Sequence, residues 1–338
     1  MHVNTIDSLD DFNQLETDWN TVYSKDPESQ FFLSWTWFPR IFLDHPDQCR
    51  ILAVRQDLPG SEYIGFFPIR IKTKWSKSKK LFCNEIQMAG TLHWGQYHGF
   101  ICEPLYETDI IKAFADKLKE MHWERLTLKY FYASITRTQI FLSQFSNDLF
   151  RLSKEERKMD GGTIDKLICP YIELPNEYES YLQTLSSNTR QKIRRFNRKL
   201  EHSEDLYITT TSREKLDRDL DILVDLWTDK WASTRGSDTD EVVQKYRRVV
   251  AHGFENNTLY MPILWRNDTP LGVLACFVDW QKPNMYFFVA GRNVESKDVF
   301  IGWLLHSHNI KWAINNGFKS YDFLHGNETY KYSYGCKE

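Results

Sequence analysis

The sequence predicts a mixed α/β protein made of two tandem domains, each built on a mixed sheet. Three observations carry this. The chain of 338 residues is about twice the length of a typical domain, roughly 150 residues. Its composition, 41% hydrophobic and 26% charged, is that of an ordinary globular protein able to bury sizeable cores. The predicted elements also run twice in the same order: helices, an antiparallel strand meander, a helix and a closing strand. This is a weak internal duplication with a boundary near 150–175, and it divides the chain into 1–160 and 161–338.

In the first half, residues 6–25 read as a helix, with Leu9, Phe12, Leu15 and Trp19 at helical spacing and Asp7 or Ser8 as cap. Trp35–Leu43 reads as an aromatic helix. Ile51–Val54 and Tyr63–Ile71 read as strands joined by a Pro59-Gly60 turn. Lys72–Lys80 is basic and reads as an exposed connection. Asp109–Met121 is a helix with Ile110, Phe114 and Leu118 on one face, and Arg125–Tyr130 alternates like a strand. The polar stretch Ser153–Thr163 suits a linker. In the second half, Glu177–Leu185 and Asn188–Leu200 read as helices. A longer helix covers 212–231, with Leu216, Leu220, Leu223 and Trp227 on one stripe and Thr211-x-x-Glu214 as a capping box. Val242–Glu255 is helical. Three strands come next at Leu259–Trp265, Leu271–Trp280 and Met285–Ala290, with Asn267-Asp268 turning between the first two. A helix over about 298–316 ends at Gly317, and Ser320–Leu324 is a last strand.

Several function classes are disfavoured. A net charge of −3 does not suit a dedicated nucleic-acid binder, so anion binding is expected to be local. Six scattered cysteines without C-x-x-C spacing point to neither a zinc ribbon nor a redox pair, and fit a reducing cytoplasm. The acidic start lacks the apolar core of a signal peptide. The longest clean apolar run, Leu271–Val278, has strand length, so no membrane span is expected. The phosphate-loop, G-x-S-x-G and H-E-x-x-H signatures are missing.

Four segments carry candidate chemistry. Asn188–Lys199 holds six basic residues and no acidic one, with Arg190, Arg194 and Arg198 on one helix face. It reads as an anion-binding face, or as a solvated face whose Ile193 and Phe196 touch the core. At the C-terminal end, Asp322 lies in an apolar strand and needs a partner. His325 stands at that strand's end, and Lys331 is framed by Tyr330, Tyr332 and Tyr334, suited to a phosphate or a developing oxyanion. Structural readings stand beside these: a satisfied carboxylate, a turn residue, and a lysine that pins the terminus. Trp227 and Trp231 share a helix face, as core or as a cleft wall. Gly90–Gly99, with His93, Trp94 and His98, reads as a substrate-pocket loop; no third ligand gives the histidines metal-site spacing.

Phe31-Phe32-Leu33-Ser34-Trp35-Thr36-Trp37-Phe38, Ser187–Arg195 and above all Tyr321-Asp322-Phe323-Leu324-His325-Gly326-Asn327-Glu328-Thr329-Tyr330-Lys331 resemble the CelD-like acyltransferase family of the N-acetyltransferase (GNAT) class. The resemblance spans nearly the whole chain. It implies tandem GNAT-like domains laid out like Fem-type aminoacyl ligases: a degenerate first domain, a second that binds the acyl donor, and an acceptor between them. Lys331 matches the active-site lysine of the Fem-like pattern. The GNAT phosphate loop, Q/R-x-x-G-x-G/A, departs here to Arg292–Gly302 with one glycine at the helix start.

The expected reaction is acyl transfer from acyl-CoA (acetyl-CoA) to an amine or hydroxyl of a small-molecule, sugar or cell-envelope acceptor. Asp322, His325 and Lys331 would serve acid/base and oxyanion roles. Arg190, Arg194, Val289, Gly291 and Gly302 would hold the donor, and His93, Trp94, His98, Trp231 and Tyr330 the acceptor. Aminoacyl transfer from charged tRNA is the second reading, and a non-catalytic component of polysaccharide assembly the third. No metal is called for, and the oligomeric state is left open.

Overall fold

The computed structural model describes residues 1–58, 60–146, 148–154, 158–159, 162–235, 239–296 and 300–338, with backbone alone at 158–159 and 231–235. Pro59 of the expected turn, the start of the helix expected from 298, and the Trp231 side chain lie outside these. The chain divides into two units, Met1–Glu156 and Arg157–Glu338.

The N-terminal unit runs β1 (His2–Ile6), α1 (Leu9–Asn13), α2 (Glu16–Lys25), α3 (Phe38–Asp44), β2 (Cys49–Arg55), β3 (Tyr63–Ser76), β4 (Leu81–Met88), β5 (Ile101–Cys102), α4 (Glu107–Glu120), β6 (Arg125–Thr127) and α5 (Ile135–Leu142). The sheet order is β1-β2-β3-β4-β6, with β5 also beside β3. All pairs are antiparallel except β4–β6. The helix expected over 6–25 is broken in two: Ile6 closes β1, and Ser8 caps α1 by accepting the Asp11 amide at 3.1 Å. Phe12 and Trp19 are nevertheless both fully buried, so the apolar spacing survives the break. Lys72–Lys80 is no simple connection. Strand β3 continues to Ser76 and β4 returns from Leu81, knit by the pairs Thr73–Asn84, Lys74–Glu85 and Trp75–Phe82. Lysines at alternate positions hide that strand period.

Beneath α5, Arg137 sits 1% exposed among three carboxylates. It donates to both oxygens of Asp26 at 2.9 and 3.1 Å and to Glu107 at 2.7 Å, with Glu28 at 3.3 Å. Burial opposes the charge, but Asp26 and Glu107 outweigh it and raise the guanidinium's pKa. Asp26 also accepts the amides of Glu28 and Cys102 at 2.9 and 2.8 Å.

The C-terminal unit runs β7 (Lys158–Met159), β8 (Ile164–Asp165), β9 (Tyr171–Glu173), α6 (Tyr178–Thr184), α7 (Ser187–Glu201), β10 (Leu206–Thr210), α8 (Leu216–Arg235), α9 (Thr239–Glu255), β11 (Leu259–Tyr260), β12 (Pro262–Arg266), β13 (Thr269–Asp279), β14 (Asn284–Arg292), α10 (Ile301–Asn315), β15 (Ser320–Asp322) and α11 (Thr329–Tyr332). Its main sheet is ordered β10-β12-β13-β14-β15-β9, and only β14–β15 is parallel. Asn267 (φ 48°) makes the expected hairpin turn and Gly317 (φ 79°) the expected helix stop. The Thr211/Glu214 capping box does not form. A 3₁₀ turn at Arg213–Lys215 precedes α8, and Glu214 accepts the Ser212 hydroxyl at 2.7 Å. Leu220, Leu223 and Trp227 of α8 bury against Ile263, Val273 and Val289 on one face of the sheet. Helices α6 and α10 cover the other, through Tyr181, Leu182, Ile310 and Ile314.

The two sheets share a topology: strand, helices, three-strand meander, crossover helix, parallel strand. In each, a glycine on the third strand lets the crossover helix approach. A Cβ on Gly65 would lie 2.5 Å from Ile110 Cγ2 of α4, and one on Gly272 would lie 2.6 Å from Ile301 Cγ2 of α10. This is the GNAT-like fold in tandem. Among the described residues no helix is long and apolar enough to cross a membrane.

Candidate active site

Strand β14 is nine residues long but pairs with β15 only from Asn284↔Ser320 to Tyr286↔Asp322. From Phe287 to Arg292 it keeps β13 on one side and, among the described residues, has no strand on the other. The register against β13 shifts so that Val289 faces Ala275 and Phe287 faces Cys276, leaving Phe288 as a bulge. Phe288 and Val289 accordingly both pack on the α8–α9 layer, which consecutive strand residues do only across a bulge. Gly291 sits under α8, where a Cβ would lie 2.7 Å from Leu226 Cβ and 3.0 Å from the Leu223 carbonyl.

Helix α10 starts beside this parting. Among the described residues no side chain caps its first turn, and residues 301–304 include no acidic one. Space is open at Gly302, where a Cβ would meet nothing within 4 Å. Two cations from α7 overlie its first residues: Lys199 Nζ is 4.1 Å from the Phe300 ring centroid, and Lys192 Nζ is 4.4 Å from that of Trp303. A helix start with two ammonium groups beside it attracts phosphate.

These are not the cations the arginine spacing singled out. Ile193 and Phe196 are the buried side of α7, and that fixes its rotation. Lys192 and Lys199 flank the buried stripe towards α10. Arg194 pairs instead with Glu179 at 2.5 Å, and Arg190 donates to the Gln183 carbonyl at 3.4 Å. The signal that finds the lysines is their seven-residue spacing beside the apolar pair.

After β15 the chain turns sharply through Leu324 (φ 55°) and Gly326 (φ 100°). Asp322, 8% exposed, accepts the Leu324 amide at 2.6 Å. Lys331 Nζ donates to the carbonyls of Phe323, Leu324, His325 and Gly326 at 3.1, 3.4, 3.0 and 2.7 Å, and pairs with Glu328 at 2.9 Å. Burial lowers the Lys331 pKa against the pull of Glu328, whose own carboxyl the bonds from Lys331 and Lys166 hold down at about 2 in spite of burial. Lys331 thus grips the turn rather than facing an open pocket. His325 is half-buried at its apex, and Tyr330 is 46% exposed.

Where the strands part, His306 of α10 lies between Phe287 and Phe323, at ring distances of 4.9 and 5.0 Å. Its Nδ1 is 2.9 Å from the Tyr321 hydroxyl, and burial holds its pKa at about 3. No distinguishing spacing in the sequence marks this histidine.

The pocket loop expected at Gly90–Gly99 belongs to the N-terminal unit and is folded inward. His93 and His98 are 3% and 2% exposed. His93 Nε2 is 3.1 Å from Asp44, and the His98 ring fits against Gly90, where a Cβ would lie 2.3 Å from its Cε1. Trp94 takes a left-handed backbone (φ 57°). Trp231 lies on α8, away from that loop in sequence and outside the described side chains.

Residues 187–332, from α7 to α11, match the family model described as an acetyltransferase (GNAT) domain. The C-terminal unit carries a GNAT-type acetyltransferase domain. By that match residues 187–332 are of the GNAT acyltransferase type. Among solved structures it is similar to FemX, at 12% identity and TM-score 0.63 over 100% of this chain and 94% of that one. It is also similar to a conserved protein from Bacteroides thetaiotaomicron VPI-5482, at 14% identity and TM-score 0.52 over 98% and 95%. These likenesses show the two-domain fold. No curated protein matches the sequence.

Proposed function

We propose that the C-terminal GNAT domain transfers an acyl group from acyl-CoA to an amine or hydroxyl of a sugar or cell-envelope precursor, as in the CelD-like family, and that the N-terminal unit is a degenerate copy. The observation that carries this reading is the parting of β14 from β15 beside the start of α10, with Lys192 and Lys199 upon it.

In this reading a backbone N–H group on the open side of β14, within Val289–Gly291, donates to the thioester carbonyl oxygen as it gains negative charge. The start of α10 and the two lysines hold the donor's phosphates. The acceptor's lone pair attacks the carbonyl carbon, the C–S bond breaks, and the departing thiolate takes up a proton from solvent water. The His325 imidazole accepts the acceptor's proton as general base. Asp322 and Lys331 are positioning residues: through the Leu324 amide and four carbonyls they fix the turn that carries His325.

Calorimetry with acetyl-CoA and longer acyl-CoAs tests the donor. Binding is expected, and silence with all of them at high concentration would sink the reading. His325→Ala is expected to lower turnover about a hundredfold while leaving donor binding intact. Steeply salt-dependent binding of charged tRNA without acyl-CoA binding would move the donor to an aminoacyl ester.

A further inference from the structure

The β3–β4 hairpin of the N-terminal unit carries a surface that acyl transfer does not use. At its tip Trp75, Leu81 and Phe82 are 53%, 48% and 70% exposed. Trp75 and Phe82 are direct cross-strand partners, and their rings pack edge-on with centroids 5.1 Å apart. They are not the frayed edge of the core. Thr73 and Asn84, bonded at 2.8 Å, stand between them and buried Ile86, and Asn84 is held in turn by the His122 carbonyl at 3.1 Å. Around the rings, residues 72–82 bear Lys72, Lys74, Lys77, Lys79 and Lys80 and no acidic side chain. Lys74 pairs with Glu85 and Lys79 with Glu124, whereas Lys72, Lys77 and Lys80 make no ion pair among the described residues.

We propose that this hairpin docks the protein on the surface of an anionic phospholipid bilayer. A projecting tip with an indole, a phenyl and an isobutyl group places apolar area at the headgroup–acyl boundary, where Trp is favoured. The lysines meet the negative surface potential. A single-stranded nucleic acid shares the charge but fits the tip less well. The two rings spend an edge and a face on each other, and Leu81 offers no stacking plane. The proposal goes beyond acyl transfer and does not depend on it.

The test is flotation of the full chain with phosphatidylcholine vesicles, with or without phosphatidylglycerol. The expected result is binding to the anionic vesicles alone, weakened as salt rises to about 0.5 M. Trp75→Ala/Phe82→Ala and Lys77→Glu/Lys80→Glu are each expected to lower the partition coefficient at least about tenfold. Their melting temperatures and acyl-CoA binding should match the parent, since the four side chains are exposed. Failure of the parent chain to float with anionic vesicles would overturn the proposal. So would equal binding by the Trp75→Ala/Phe82→Ala variant, or capture of a single-stranded RNA probe with no vesicle binding.

Discussion

In the N-terminal unit the fourth strand pairs with the third as far as Met88↔Ile69, leaves the sheet for residues 89–100, and returns as β5 at Ile101↔Phe66. Two residues of β3 face twelve of the excursion there. In the C-terminal unit the equivalent interruption of β14 is one residue, Phe288. The excursion ends beside the last strand: the His98 amide donates to the Tyr130 carbonyl at 2.9 Å and the His98 carbonyl accepts the Tyr132 amide at 2.6 Å, so the space next to the chain after β6 is filled by the unit's own backbone. Beyond Phe287, β14 meets no such segment among the described residues. One topology thus gives a closed sheet in one copy and an open one in the other, and the difference lies in the length and path of a single interruption.

That contrast gives four measurements, from the largest expected effect to the smallest. Arg137→Met leaves Asp26 buried without its cation and is expected to cost roughly 3–5 kcal/mol in denaturant unfolding; a loss below about 1 kcal/mol would remove the hub from the N-terminal unit's stability. Acidification comes next. His98 and His306, one in each unit, have folded pKa values of about 3 against the ordinary 6.5 because burial disfavours imidazolium. The unfolded chain gains these protons as pH falls through 6.5 while the native state does not. Stability present at neutral pH is therefore lost between pH 6.5 and 3, on the order of 2 kcal/mol per histidine by pH 5. Melting curves of His98→Gln and His306→Gln should each show a shallower pH slope; an unchanged slope would contradict the burial argument. Lys192→Ala/Lys199→Ala should weaken acetyl-CoA binding at least about tenfold, or 1.4 kcal/mol, with an unaltered melting temperature. Arg190→Ala/Arg194→Ala should change it less than about twofold, because Arg194 is already neutralised at an exposed pair. A reversed order of the last two would return the phosphate site to the arginine face.

Periodicity made most helices and the long strands legible, and repetition of order revealed the tandem plan. Short pieces escaped: β1, β9 and β10 have three to five residues, too few for alternation to stand out. Strand β4 was lost because a lysine-rich hairpin mimics an exposed loop. At the site, residue types were legible and directions were not. Arg190, Arg194 and Arg198 do share a helix face, but the rotation that turns Lys192 and Lys199 towards α10 depends on where Ile193 and Phe196 find their partners. Lys331 stood out as a cation among tyrosines, yet its four carbonyl partners lie five to eight residues back, in a turn built by Leu324 and Gly326. The inward fold of Gly90–Gly99 required Gly90 to make room for His98, a tertiary fit that no local pattern announces.

The Arg137 hub also constrains when the N-terminal unit becomes native. Asp26 and Arg137 are 111 residues apart, and neither charge is tolerable at its depth without the other. As the polypeptide emerges in order from the ribosome, α2 and the strands after it hold a carboxylate whose counter-ion is still untranslated. Native consolidation of this unit is therefore expected to wait until α5 has been made, so that the segment before it does not act as an early-folding nucleus.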